Sequence, residues 1–399
     1  MERALRGMRM YRATAALAGF VLAGVAATPA HAETIRSQQW HLTSMKADDI
    51  WKTSTGKGVT VAVIDGGVAP IPELEGQVVP GKDFATSYSG DERTDSNKHG
   101  TAMAALIAGT GKHPSGDGAF GLAPGAKILP IRVPEGVDVE NAAWTAAIRY
   151  AADTEAKIIS ISLASGAEDP ARLDAVKYAL SKGKLIFAGV GNRGDGSNDV
   201  LYPAATPGVV GVAAVDSGGK ATAESEHGPQ VDLTAPGADI VTACAGKTGA
   251  CKGSGTSNAT ALASASAALI WSAHPDWTNN QVLRVMMNTA GKPVDGAERS
   301  DFVGYGVVRP RIAVPNPGDP GPADVYPIPD LAAAGGGTGT KAPSAPSSTA
   351  PSGQASAPAP QAGAKEEDGG SLPWLALGLG ACVLIGGAVT AVALRRRSR

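Results

Sequence analysis

Five apolar, β-branched runs punctuate the middle of the chain: Val59–Ile64, Ile128–Val133, Ile158–Leu163, Leu185–Val190 and Val209–Val215. None alternates polar with apolar residues. A strand that is apolar throughout is buried on both faces, as in a parallel sheet. Between these runs the period lengthens to that of a helix. Trp144, Ile148 and Ala151 share one face, and so do Leu173, Val176 and Leu180, with Gly183 placed to stop that helix. Thr278 and Gln281 form a capping box ahead of Val282, Val285, Met286 and Thr289. Strands alternating with helices, joined by right-handed crossovers, predict an α/β domain over residues 33–314. Its architecture is a three-layer doubly wound sandwich with a mainly parallel sheet. In such a sheet the ligand crevice lies at the carboxyl ends of the strands.

Two further apolar stretches stand in different surroundings. Ala13–Ala27 follows Arg3, Arg6, Arg9 and Arg12 and precedes Ala30-His31-Ala32. It is short for a membrane span, and its flanks predict a signal peptide over residues 1–32, cleaved after Ala32. Leu372–Leu394 is 23 residues without a charge. At helical rise that is about 34 Å, enough for a transmembrane helix. Trp374 sits at its outer edge, and Arg395, Arg396, Arg397 and Arg399 follow it. The positive-inside rule makes 395–399 a cytoplasmic tail. Residues 315–371, rich in Pro, Ala, Gly and Ser, read as a linker. The expected topology is a single-pass cell-membrane protein with its folded domain outside the cell.

Composition narrows the functions. Among 399 residues, 35 are Lys or Arg and 37 are Asp or Glu, a net charge of −2. A chain without a basic stripe has no electrostatic reason to bind nucleic acid. Three cysteines in 399 residues do not make a disulfide scaffold. No cluster of acidic, His or Cys residues compels a metal, and no cofactor is expected.

Three short segments carry chemistry. Asp65 ends the first apolar run and is followed by Gly66-Gly67. It can orient an imidazole, or it can simply close a turn. His99-Gly100-Thr101 opens a helix of small residues ended by Gly109, so His99 either faces a cleft or starts a surface helix. Gly253-Ser254-Gly255-Thr256-Ser257 opens a second small-residue helix. A Ser there can use free helix amides to stabilise an oxyanion, or can merely cap the helix. His41, His113, His227 and His274 lack such context and read as solvated or locally bonded. Each segment is modest alone. The order Asp, His, Ser is that of subtilisin, distinct from the orders in chymotrypsin and the α/β-hydrolases.

On these motifs the chain resembles the subtilisin-like serine proteases. Within them it is similar to the mycosins, membrane-anchored proteases associated with type VII secretion. Gln39-Trp40-His41-Leu42, Gly121-Leu122-Ala123-Pro124 and Ala259-Thr260-Ala261-Leu262 carry the mycosin likeness. The resemblance implies a subtilisin-like fold. It implies Ser257 as nucleophile, His99 as general base and later acid, and Asp65 as the group that orients His99. Asn192 matches the family's oxyanion asparagine. Ser162, Leu163 and Ala164 match the strand that pairs with substrate backbone, and Val133 and Pro134 lie on its opposite edge. Gly66, Asn258, Ala261-Leu262 and Ala164-Ser165 depart from the general subtilase pattern, and Ala164 adds a methyl to a pocket wall usually lined by Gly. The few residues between Ala32 and Gln38 leave no room for a folded inhibitory prodomain, so the N-terminal segment is expected to stay attached and pack on the domain.

Cys244 and Cys251, with six residues between them and in an oxidising compartment, are expected to form a disulfide. The expected partners are a protein or peptide substrate, the membrane and a type VII secretion complex. The leading function is a processing endopeptidase acting beside the membrane. The alternative is a structural component of a secretion complex in which proteolysis is dispensable.

Overall fold

The structure, a computed structural model, describes residues 33–134, 141–246 and 249–335. The expected signal peptide, the transmembrane helix 372–394 and the tail lie outside the described residues. Among the described residues no helix is long and apolar enough to cross a membrane.

Among the described residues nine strands form: β1 (Thr60–Asp65), β2 (Lys82–Asp83), β3 (Lys127–Arg132), β4 (Ile158–Ile161), β5 (Leu185–Gly189), β6 (Val210–Val215), β7 (Leu233–Pro236), β8 (Ile240–Ala243) and β9 (Ala250–Gly253). The first seven make one sheet in the order β2-β3-β1-β4-β5-β6-β7, with every neighbouring pair parallel. β8 and β9 form a separate antiparallel hairpin. The strands β3 and β4 flank β1 on opposite sides. Chain direction across the sheet therefore reverses at β1, and a crevice opens at the carboxyl end of that strand.

The helices that position the site are α1 (His99–Ala108), α2 (Asn141–Ala152), α3 (Pro170–Ser181), α4 (Thr256–Ala273) and α5 (Asn279–Thr289). Alternate residues of each strand point to opposite faces. Val61 and Val63 thus join a core with α1, α4 and α5, while Ala62 and Ile64 join a second core with α2 and α3. These are the three layers the apolar runs predict. α4 is buried along nearly its whole length. Its alanines let it lie close against the central strands, which a helix with large side chains on every face could not do. The capping box at Thr278 and Gln281 forms as expected. On α3 the buried face carries Arg172, Ala175, Val176 and Ala179, rotated from the expected Leu173-Val176-Leu180 stripe.

Three short helices, Ile35–Gln38, Trp40–Ser44 and Ala47–Ile50, lay the N-terminal segment on the domain. The buried Gln39 amide donates to the carbonyls of Phe120 at 2.7 Å and Val241 at 3.2 Å, and its oxygen accepts from the Phe120 N–H at 3.1 Å. Trp40 Nε1 donates to the carbonyl of Ala238 at 3.1 Å. The segment is therefore stitched to the stretch of chain that leads into α4.

At the other end, the linker expected from residue 315 does not begin there. Arg284 donates to the carbonyls of Pro320 and Pro322 at 2.9 and 2.8 Å, and Asp330 accepts from the Gly208 N–H at 2.8 Å. Ile328 is buried in the main core. Polar side chains of the domain bind the backbone of this Pro-rich stretch, and Ile328 and Tyr326 pack into the core, so it docks through 335.

His41 is not solvated. It is fully buried, and neither ring nitrogen has a hydrogen-bond partner. Burial, with Arg36 nearby, lowers its pKa to about 3. Its folded value lies below the unfolded one, so the unfolded chain binds the extra proton between these two values. Stability should therefore fall as pH drops below about 6.5, by up to about 1.4 kcal/mol per pH unit for this one group. His41→Leu, of similar volume, should flatten the pH dependence of the unfolding midpoint between pH 6.5 and 4. An unchanged slope would remove His41 as a source of acid lability.

Candidate active site

Asp65 closes β1 at the crevice and is fully buried. Its Oδ1 accepts from the Gly66 N–H at 2.8 Å. His99, at the first residue of α1, brings Nδ1 to 2.9 and 3.0 Å from the two carboxylate oxygens. The approach depends on Gly100. A Cβ there would meet the Gly67 carbonyl at 2.2 Å and the Asp65 Cβ at 2.9 Å. Asp95 secures the start of α1 by accepting from the N–H groups of Lys98 and Thr101, both at 2.8 Å, where a carboxylate also complements the helix dipole.

Ser257 lies in the first turn of α4. Its hydroxyl donates to the Ser162 carbonyl at 3.3 Å. Asn192 follows β5 in the loop beside it. The Asn192 Oδ1 accepts from the Thr256 N–H at 2.8 Å. That bond assigns the amide orientation and commits Nδ2 as the donor left to face the cleft. Thr256 ties the two segments again, its hydroxyl accepting from the Gly191 N–H at 3.3 Å.

Two cavities meet at Ser257 and Asn192. One, of about 600 Å³, also contains His99, Cys244, Cys251 and Asn258. The other, of about 630 Å³, contains Ser162, Leu163, Ala164 and Glu226. The expected residues Asp65, His99, Ser257, Asn192 and Ser162–Ala164 are thus gathered around one cleft. Val133 and Pro134 are not in it. They line a separate cavity of about 210 Å³ with Gly66 and Arg132. A further cavity, about 740 Å³ around Lys220–Ala223 and Lys292–Asp295, contains none of these residues.

Sequence reasoning missed three contributors: Thr256, Asn258 and Glu226. Asn258 Nδ2 donates to the carbonyls of Gly237 at 3.2 Å and Gly253 at 3.1 Å, holding hairpin and helix together. Glu226 sits in the polar run Glu224-Ser225-Glu226-His227, which carries no signal of burial. Among the described residues no group of three His, Cys, Asp or Glu could hold a metal.

The arrangement is suited to nucleophilic attack by a hydroxyl. A buried carboxylate fixes an imidazole, a serine shares the imidazole's cleft, and an amide faces the place where charge would develop.

The expected Cys244–Cys251 bond is not formed. Both thiols are free, and they hydrogen-bond to each other. Cys251 pairs across the hairpin with Thr242, so Cys244, two residues further on, is its diagonal neighbour. Diagonal neighbours lie about 7–8 Å apart, outside the span of about 4.4–6.8 Å that a disulfide bridges. Burial, then the Cys244 thiol, pushes Cys251 up to about 12, so it carries almost no thiolate at neutral pH.

A profile of the subtilase family, peptidase S8, matches residues 56–306. The chain is 34% identical over 260 residues to thermitase from Thermoactinomyces vulgaris, covering 64% of this chain and 89% of thermitase. It is 33% identical over 274 residues to the minor extracellular protease Epr of Bacillus subtilis, covering 68% of this chain but only 41% of that longer protein. Among solved structures, MycP1 from the ESX-1 type VII secretion system superposes with a TM-score of 0.63 at 27% identity, covering 74% of this chain and 90% of that one. A chain in the periplasmic assembly of the ESX-5 inner membrane complex gives 0.61 at 25% identity, covering 80% and 90%.

The diagonal geometry predicts that both cysteines of the unreduced, denatured chain can be alkylated. A Cys244–Cys251 linked peptide in its mass spectrum would show instead that the hairpin tightens around a bond.

Proposed function

The chain belongs to the subtilase family of serine peptidases, and we propose that it is a membrane-anchored, mycosin-like endopeptidase whose catalytic set is Asp65, His99, Ser257 and Asn192. The observation that carries this reading is the Asp65–His99 contact at 2.9 Å in the same cleft as Ser257 and Asn192. The Ser257 hydroxyl turns from the Ser162 carbonyl, gives its proton to His99 Nε2, and attacks the scissile carbonyl carbon. Asp65 keeps the proton on His99 Nδ1 and stabilises the imidazolium. Asn192 Nδ2 and the Ser257 N–H hold the tetrahedral oxygen. His99 then protonates the leaving amine, and water releases the acyl group by the same steps. The substrate backbone pairs with Ser162–Ala164, which orients the bond before reaction.

The apolar stretch 372–394 and the arginines after it support a catalytic domain held outside the cell and close to the membrane. That placement, with the likeness to MycP1, favours proteins of a type VII secretion system as substrates over general nutrient proteolysis. A second reading, a structural part of such a complex, is favoured by the likeness to a chain within the ESX-5 periplasmic assembly.

Ser257→Ala separates the two. It removes one oxygen and leaves the outer surface intact. Peptide hydrolysis and labelling by a serine-directed fluorophosphonate should both be lost, apart from the small rate that binding and the oxyanion donors sustain. If proteolysis is the whole function, cells carrying this variant should secrete as poorly as cells lacking the chain. A milder defect assigns the difference to scaffolding. Unchanged hydrolysis would overturn the catalytic assignment.

A further inference from the structure

One carboxylate in the cleft has no part in the catalytic steps. The Glu226 N–H donates to the Gly191 carbonyl at 3.1 Å, which lays this residue against the turn that ends in Asn192. A Cβ placed on Gly191 would meet Glu226 Oε2 at 2.2 Å, so the carboxylate abuts bare backbone one residue before the oxyanion asparagine. Glu226 is fully buried, and no side chain hydrogen-bonds to its carboxylate, which faces only the Arg193 backbone N–H and the Arg193 charge. It nevertheless forms part of the wall of the cavity, about 630 Å³, that holds Ser257 and the strand Ser162–Ala164.

A buried carboxylate with so little compensation is unfavourable when ionised. Burial, with Asp199 adding repulsion, pushes its pKa up to about 7, against a backbone N–H of Arg193 and the Arg193 charge, which oppose the shift without overcoming it. Arg193 and Asp199 also line the cavity, and their charges offset each other. Glu226 is then the charge left over. A substrate strand paired with Ser162–Ala164 directs the side chain on the acyl side of the cleaved bond into this cavity. The Ala164 methyl narrows the wall and suits a slender chain better than an aromatic ring.

Resting on the peptidase reading above, we propose that Glu226 is a specificity-determining residue that selects a lysine or arginine side chain immediately before the cleaved bond. The incoming cation adds the counter-charge that a single backbone N–H does not supply. Neutral side chains leave the carboxylate uncompensated, and acidic ones add repulsion, so selection works by rejection as well as attraction.

The test uses the full chain and peptides that differ only at the residue before the cleaved bond: Lys, Arg, Leu, Phe and Glu. kcat/KM for Lys and Arg should exceed that for Leu by at least about tenfold, with Glu the poorest. Glu226→Gln keeps the shape and removes the charge. Its Lys-to-Leu ratio should fall by at least about tenfold, whatever its absolute rate. A wild-type preference for Leu or Phe overturns the proposal, as does a variant whose ratio is unchanged. Since the wild-type profile is read alone, a variant that fails to fold leaves the proposal exposed to refutation. Failure of the wild type to cleave any peptide would sink the peptidase reading itself, whereas cleavage without basic preference sinks only the role of Glu226.

Discussion

The contact between a buried carboxylate and an imidazole at the switch point of the sheet is the constraint around which the site is arranged. Asp65 is removed from water at the end of β1, where it would be costly without partners. It is satisfied by the Gly66 amide and by His99. That requires α1 to approach closer than any side chain at position 100 allows. The small residues after His99 are the extension of the same demand, because they let the rest of α1 settle against the sheet. Geometry at one carboxylate thus dictates composition along ten residues of helix.

The second half of the site hangs on α4. Its alanine-rich body is held against the central strands, so its first turn has little freedom. Asn192 and Thr256 lock the loop after β5 to that turn through two hydrogen bonds, 2.8 and 3.3 Å long. Gln39 and Trp40 brace the chain entering α4 from outside. Serine and imidazole are therefore held by two helices of one layer, α4 and α1, and the amide by the loop after β5, and the three meet at the crevice. Such preorganisation lets fixed dipoles stabilise developing charge without reorganising during reaction.

Much of this was legible in the sequence. Uninterrupted apolar runs are a strong signal, and the five they mark are strands to within two residues at each end. β2 and β7 went unread because two to four residues give no period to detect. The β8–β9 hairpin, half exposed and carrying Lys252, does not look like the buried strands. The α3 face was misjudged because Arg172 is buried there. Asp65, His99 and Ser257 were readable because glycines and small residues punctuate each of them. Glu226 was not, since a buried charge leaves no mark in a polar loop. The pairing of Cys244 with Cys251 looked plausible by spacing, yet spacing does not encode the diagonal offset across the hairpin. The segment 315–335 resembles a linker because much of its binding is made by backbone carbonyls, which composition does not display, and only a few side chains such as Ile328 and Asp330 dock it.

The account turns on the claim that Asp65 acts through His99 and is more than a turn-closing carboxylate. Asp65→Asn keeps the shape and removes the charge and the fixed tautomer. The direct measurement is the second-order rate of Ser257 labelling by a fluorophosphonate in the folded full-length chain. The account predicts a fall of about 10³–10⁴-fold with the unfolding midpoint little changed. Labelling at the wild-type rate would show that Ser257 is activated without this pair, and would contradict the central claim.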